Sequence, residues 1–250
     1  MLKSDDMSEN EKELSFPSTL SNEQIEIKLK LFQRGSNFIT NKQPEKALEC
    51  FKEILQITPN DYSTWYNVGL AYALLQNNEE AISSYEKALN INPNYPRALR
   101  NKADIHCIRE EYDLAIECMK KCIEIRPEDD DQDYVILGNA YRNVDPGLAK
   151  GCYMRATDIN PDNFRAFNNI GTLLEKEGLV GEAGGCYERA IELYPNYFAA
   201  LHNLATLYQE NGNTEMANEF FERAAEVKNL KNDFDYTDDR ELTRNITSKK

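Results

Sequence analysis

An all-α solenoid of stacked helical hairpins is the fold class this sequence predicts, and three observations predict it. Pro59, Pro93, Pro127, Pro161 and Pro195 are each 34 residues from the next. Between them, apolar residues recur with the 3.6-residue period of amphipathic helices, two short helices to each interval. A small residue, Gly35, Gly69, Ala103, Gly138, Gly171 or Ala205, returns once per interval. A hairpin of this length cannot bury its own apolar face and must bury it on the next copy, so the core is distributed along a stack.

Composition narrows the function classes. The 250 residues are 41% apolar, enough for an ordered core, and carry a formal charge of −14 from 43 acidic and 29 basic side chains. That balance argues against a nucleic-acid phosphate binder and does not favour an anionic membrane surface. No apolar run reaches the length of a membrane span, and residues 1–24 lack the run of a signal peptide, so the chain is read as cytoplasmic and without membrane insertion. Four of the six cysteines, Cys50, Cys118, Cys152 and Cys186, share one phase of the second helix and read as packed free thiols rather than a disulfide scheme.

The elements follow in order. Residues 1–24 are acidic and rich in Ser, Glu and Asn, and read as mostly disordered, with Leu14 and Phe16 able to dock on the first copy. Ser21, followed by Gln24, has the spacing of a capping box, where helical periodicity starts. The array is placed over 25–230, with copies at about 28–61, 62–95, 96–129, 130–163, 164–197 and 198–230. In the second copy the first helix (helix A) presents Trp65, Val68, Gly69 and Tyr72, and the second (helix B) presents Ala81, Tyr85 and Ala88. The small residue on helix A marks a close approach of the two helices, because glycine in a helix otherwise costs about 1 kcal/mol.

The fourth copy is irregular. Its Tyr134, Leu137, Gly138 and Tyr141 are displaced by one residue towards the C-terminus, while Ala149, Tyr153 and Ala156 keep phase. The segment before helix A is the carboxylate run Glu128–Asp133, expected to act as linker and N-terminal cap. Calcium binding is the weaker reading there, since the glycine and terminal glutamate of an EF-hand loop are missing. Residues 231–250 are read as a capping segment or tail: Phe234 and Tyr236 can cover the last copy, a short helix can start at Asp238 or Asp239, or DFDYTDD can enter a groove.

The phased residues resemble the tetratricopeptide repeat, a 34-residue helix-turn-helix, and the match runs in phase over roughly residues 28–230. The resemblance implies a right-handed α-solenoid of about six tetratricopeptide repeats. It also implies a concave surface built mainly from helix A and used to bind protein or peptide. Carried over copy by copy, the groove-facing residues are Asn67, then Arg97, Arg100, Asn101 and Asp104, then Asn139 and Arg142, then Arg165, Asn168, Asn169 and Thr172, then His202, Asn203 and Thr206. Asn67, Asn101, Asn169 and Asn203 share one phase, and their amides can hydrogen-bond an extended peptide backbone. This resembles the asparagine ladder in the superhelix of O-linked N-acetylglucosamine transferase, without a catalytic domain.

The expected function is therefore a scaffold or adaptor. Arg97, Arg100, Arg142 and Arg165 favour an acidic peptide, or one with a free carboxylate. A co-chaperone-like carboxylate clamp is an alternative, but the first two copies place Phe32, Ser36 and Tyr66 at its phases, and the later copies match it only in part, at Arg97 and Asn101. A structural subunit, or a homo-oligomer through the array ends, is another. His106 and His202 stand alone, with no nucleophile and orienting acid at recognisable spacing. With no phosphate loop, dinucleotide fingerprint or zinc signature, the chain is read as non-enzymatic, with no cofactor and no metal.

Overall fold

The computed structural model describes residues 20–126 and 130–233. Twelve helices occupy them: α1 (Asn22–Thr40), α2 (Pro44–Ile57), α3 (Tyr62–Leu74), α4 (Asn78–Ile91), α5 (Pro96–Ile108), α6 (Tyr112–Glu124), α7 (Asp131–Tyr141), α8 (Pro146–Ile159), α9 (Phe164–Lys176), α10 (Val180–Leu193), α11 (Phe198–Glu210) and α12 (Thr214–Asp233). Consecutive odd and even helices form hairpins, giving an all-α solenoid of helix pairs. The chain divides into two compact units, residues 1–92 with α1–α4 and residues 93–250 with α5–α12. Within each unit every helix packs on its sequence neighbours; in the second, α5 also touches α7 and α9 touches α11, so helices A line one face.

Local chemistry sets the ends. Ser21 caps α1 reciprocally with Gln24: the Gln24 amide donates to Ser21 Oγ at 3.1 Å and the Ser21 amide to Gln24 Oε1 at 3.0 Å. α1 thus starts three residues inside the segment assigned to a disordered tail, and the expectations for Leu14 and Phe16 lie outside the described residues. At the other end α12 runs on to Asp233, past the expected limit near 230, because no proline stops it. The expectations for Phe234, Tyr236 and a helix from Asp238 also lie outside the described residues.

The close approach of helices A and B has a defined cause. A Cβ on Gly69 would lie 2.5 Å from Tyr85, and one on Gly171 2.6 Å from Tyr187; Gly35 meets Phe51 and Gly138 meets Tyr153 in the same way. These rings, spaced by one or two repeat lengths, are fully buried. Where helix A carries Ala103, the ring phase holds Met119, a narrower and more adaptable side chain. In four hairpins glycine meets a fully buried ring; the sixth instead pairs Ala205 with Phe221, which is only partly buried.

The turn from A to B adopts a left-handed residue at Lys42 (φ 53°), Gln76 (φ 60°), Glu110 (φ 60°), Gly178 (φ 77°) and Gly212 (φ 79°), again at the repeat spacing. Among the described residues the fourth hairpin has none. There α7 ends at Tyr141, the Asp145 amide bonds the Tyr141 carbonyl at 2.7 Å, and Asp145 caps α8 directly. The one-residue displacement read from the sequence is therefore a different turn: four residues, 142–145, join α7 to α8 where the other hairpins have three, and the expected shortening falls instead on α7, 11 residues long against 13 for α3, α5, α9 and α11.

Gly69→Ala gains about 1 kcal/mol of helix propensity and loses about 1–3 kcal/mol to overpacking, for a net destabilisation of up to about 2 kcal/mol. Urea denaturation of Gly69→Ala, Tyr85→Met and the double variant checks this. The double should be more stable than the sum of the singles predicts, by on the order of 1 kcal/mol, as expected for residues in contact.

Candidate functional site

Asp130, Asp131 and Asp133, at the start of α7, build an ion cluster; Glu128 and Asp129 of the acidic run lie outside the described residues. Asp133 is 1% exposed and accepts from Arg100 Nε at 2.6 Å and Arg126 Nη1 at 3.0 Å. Asp130 accepts from Arg100 Nη2 at 2.8 Å and Arg126 Nη1 at 3.0 Å, and its other oxygen caps the Gln132 amide at 2.9 Å. Asp131 accepts from Asn160 and Asn163 side chains at 2.8 and 2.7 Å. Burial disfavours charge on Asp130, but the Arg100 hydrogen bond and charge hold its carboxyl below the usual range. Burial likewise opposes charge on Arg100, and its two carboxylates keep it firmly protonated. Cys122, whose thiol faces Asp133, is pushed up to about 12 by burial.

Only part of the linker-and-cap expectation describes this run. Asp130 is the cap, but Asp133 is a buried acceptor that ties α5 to α7. With the displacement applied, Asp133 falls on the phase of Thr64, Ala98, Ala166 and Ala200, all fully buried. A carboxylate at that phase needs a paired cation, and the half-buried Arg100 supplies it. Arg100 is therefore not a groove residue awaiting a ligand; its guanidinium is held by its own chain. Asp131 and Asp133 likewise face protein donors, and no group of three metal-ligating side chains occurs among the described residues.

A second network joins the amides of α7, α9 and α11. Asn139 Oδ1 accepts from Tyr153 Oη at 2.8 Å and from Asn169 Nδ2 at 3.0 Å; Asn168 Nδ2 donates to Asn169 Oδ1 at 3.3 Å, and Asn203 Nδ2 to Asn168 Oδ1 at 3.0 Å. Of the four amides read as a ladder, Asn169 and Asn203 are thus joined in a zigzag through Asn168, which is not one of them. Asn168 is 4% exposed, too buried to face a ligand, and serves as the link between Asn169 and Asn203. Asn67, in the first unit, donates to the Ser63 carbonyl of its own helix at 2.8 Å.

Beside this network lies a cleft of about 350 Å³, lined by Cys107, Ile108, Tyr112, Val135, Asn139, Arg142, Arg165, Asn169 and Tyr197. It gathers four of the expected residues, Asn139, Arg142, Arg165 and Asn169, and adds an apolar and aromatic wall that sequence reasoning did not assign. Tyr112 is fixed by Asn143 Nδ2 at 2.7 Å. Arg165 lies 5.6 Å from the Phe164 ring and also borders the ion cluster. Asp104 is half-buried; burial pushes its carboxyl up to about 6 against the charges of Arg100 and Arg165. Burial pushes Cys107 up to about 11.

The remaining expected residues stand elsewhere. Arg97 is exposed in the first turn of α5, and Asn101 is half-buried one turn later. His202 is exposed between the Phe198 and Phe221 rings, at 5.8 and 5.6 Å. His106 is buried with Nδ1 2.6 Å from Glu111 Oε2. In the first unit, Phe32 and Tyr66 pack on Phe51 and Tyr85 at ring separations of 6.0 and 5.8 Å, so the phases a carboxylate clamp requires are occupied by core aromatics.

Comparison with known proteins agrees with this hairpin register. Sequence models described as tetratricopeptide repeat match residues 31–61, 62–95, 97–129 and 162–229. The chain belongs to the tetratricopeptide repeat family. Among curated proteins no significant match is found. Similar solved structures are tetratricopeptide-type folds at low identity. PilW, described as a widely conserved type IV pilus biogenesis factor, gives a TM-score of 0.70 at 17% identity, over 87% of this chain and 98% of that one. PilF of Pseudomonas aeruginosa gives 0.68 at 16%, over 89% and 98%. YrrB, described as a TPR protein with an unusual peptide-binding site, gives 0.53 at 22%, over 72% and 93%. These similarities establish the tetratricopeptide fold, and with the family match they support a protein-interaction scaffold. The stretch between the matched segments coincides with the displaced fourth hairpin. No described helix is long and apolar enough to cross a membrane.

Replacing Asp133 by Asn removes the buried one of the two carboxylates shared by the half-buried Arg100 and Arg126, while Asp130 still pairs with both, and a loss of about 1–3 kcal/mol is expected. A lowered urea midpoint measures it. Because the Asp130 carboxyl is held below its ordinary value, its contribution to stability is present at neutral pH and disappears as pH falls below about 4.

Proposed function

We propose that this protein is a scaffold whose second unit binds an extended, acidic peptide across the helix A face, with the cleft of Asn139, Arg142, Arg165 and Asn169 as its anchor. The observation that carries this reading is Arg142. It is half-buried in the cleft wall, and among the described residues no carboxylate pairs with it. A guanidinium offers five donors in a planar fork that suits a carboxylate, and the neighbouring amides of Asn139 and Asn169 suit a peptide backbone. The apolar wall of Val135, Tyr112 and Tyr197 adds contact for a side chain beside the acid. The printed description of YrrB as having a peptide-binding site fits this use of a related fold. The absence of any disulfide among the six cysteines fits a reducing, cytoplasmic setting.

A second reading, self-association at an array end, is favoured by α1. Ile25, Ile27 and Leu29 there are 42%, 41% and 64% exposed. Light scattering of the full chain over a dilution series tests it.

For the main reading, a fluorescein-labelled Asp/Glu-rich peptide is titrated against the full chain. Arg142→Ala should weaken binding by about 10- to 100-fold, the value of a charge-assisted hydrogen bond, while Arg97→Ala should leave it within about twofold. Unchanged affinity in Arg142→Ala would overturn the assignment.

Proton linkage gives an independent check. Asp104 is anionic above about pH 6 and offsets the positive field of Arg165. Below that it is neutral, while the carboxylates of the peptide remain ionised. Affinity should therefore rise as pH falls from 7.5 to 5.5, and Asp104→Asn should remove that slope and bind at pH 7.5 as the wild type does at pH 5.5.

A further inference from the structure

We propose that the first turns of α1 in one molecule dock in a groove on the helix B side of the first unit of a second molecule, an inference that rests on the self-association reading above and names both of its surfaces. The groove holds about 590 Å³ between α2 and α4, with α3 as its floor. Leu55, Trp65, Val68 and Tyr72 give it an apolar lining, and Ser83 and Ser84 keep the α4 wall short. The indole is fixed in place, because Trp65 Nε1 donates to the Pro59 carbonyl at 2.8 Å. Lysines stand over both rings: Lys87 Nζ lies 4.3 Å from the Trp65 ring and Lys52 Nζ 5.8 Å from that of Tyr72. Glu79 and Glu80 line the opposite end of the α4 wall from Lys87.

α1 supplies the occupant. It has 19 residues where α3 has 13, and since Thr40 and Leu74 end their helices one repeat apart, the extra residues all lie at its start. In its own chain α1 packs on α2 and α3. Ile25 and Leu29, one turn apart on one face, point away from that contact and are 42% and 64% exposed.

Charge matches in spacing and in order. Glu23 and Lys30 are seven residues apart on α1, and Glu80 and Lys87 are seven residues apart on α4. At about 1.5 Å per residue both intervals come to roughly 10 Å, two turns along the same side of a helix. Laid antiparallel to α4, α1 brings Glu23 to Lys87 and Lys30 to Glu80, with Ile25 and Leu29 towards the apolar floor. All four charged side chains are exposed. Lys30 pairs with Glu26 inside α1 at 2.6 Å, but at 74% and 66% exposure that pair is weak and leaves Lys30 able to turn to the groove. A uniformly acidic or uniformly basic partner would match only one end of the groove, whereas α1 matches both.

The test follows full-length protein over about a hundredfold dilution by light scattering and by the emission of Trp65, the chain's one tryptophan. Mass should rise with concentration, and the emission should move to shorter wavelength in parallel as the groove loses water. Leu29→Ala should weaken association by about tenfold through lost apolar burial. Lys87→Glu should weaken it by about tenfold or more by setting like charges together, and adding Glu23→Lys should restore affinity to within about threefold of the wild type. An unchanged urea midpoint shows that these exposed substitutions leave the fold intact. Constant mass at every concentration overturns the proposal and the self-association reading together. Association that leaves Trp65 emission unmoved, that ignores Leu29→Ala and Lys87→Glu, or that the charge exchange fails to restore overturns the proposal and leaves self-association to other surfaces.

Discussion

The contact on which the structure depends is the meeting of a side-chain-free point on helix A with a ring edge on helix B. At Gly69 and Gly171 there is no space for even one methyl group unless the opposing tyrosine moves. That contact sets the separation within a hairpin, and the separation decides which faces remain for the neighbouring hairpin. The rings are long enough to cross the hairpin: Tyr153 passes beside Gly138 and delivers its hydroxyl to Asn139. Packing and the cleft-lining amide network are thus joined through single side chains, and the buried phenols, whose ionisation burial opposes, act as fixed donors.

The fourth hairpin shows how a regular array acquires an individual site. Moving helix A by one residue exchanges the left-handed turn for a directly capped one and brings the carboxylate run to the top of α7. Asp133 then occupies a phase that elsewhere holds alanine or threonine, and Arg100 fills the matching need from α5. Arg100 is taken up by the cluster, while Arg142, at the displaced end of α7, lines the cleft together with Arg165. The same shift that produces the buried ion cluster also produces the open one.

Much of this architecture was legible in the sequence, because steric periodicity repeats and each copy checks the others. The six hairpins, the Ser21 cap, the close approach at the small residues and the displacement all follow from phase. The site was legible only in part. Asn139, Arg142, Arg165 and Asn169 could be placed on one helix A face, where they line one cleft, but phase alone does not say which polar groups satisfy each other. Arg100 and Asp133 are 33 residues apart, and their pairing depends on how helices A of adjacent copies sit side by side. Asn168 and Asn169 are neighbours in sequence, yet one is buried and the other faces the cleft. The signal that would have found the cluster was a carboxylate at a core phase, visible once the displacement is applied.

The Arg100–Asp133 link also bears on how such a chain can change over evolutionary time. In an array held by nearest-neighbour packing, whole copies can be duplicated, deleted or exchanged with little loss, because every junction resembles every other. Here the third copy carries a cation that only the fourth neutralises, and Asn160 and Asn163, in the junction leading into α9, bind a carboxylate of α7. Recombination between α5 and α9 would separate charges that are tolerated only as a pair. Exchange within that stretch would therefore have to keep both partners of each link together, and the Asn168–Asn203 bond extends the same requirement to α11.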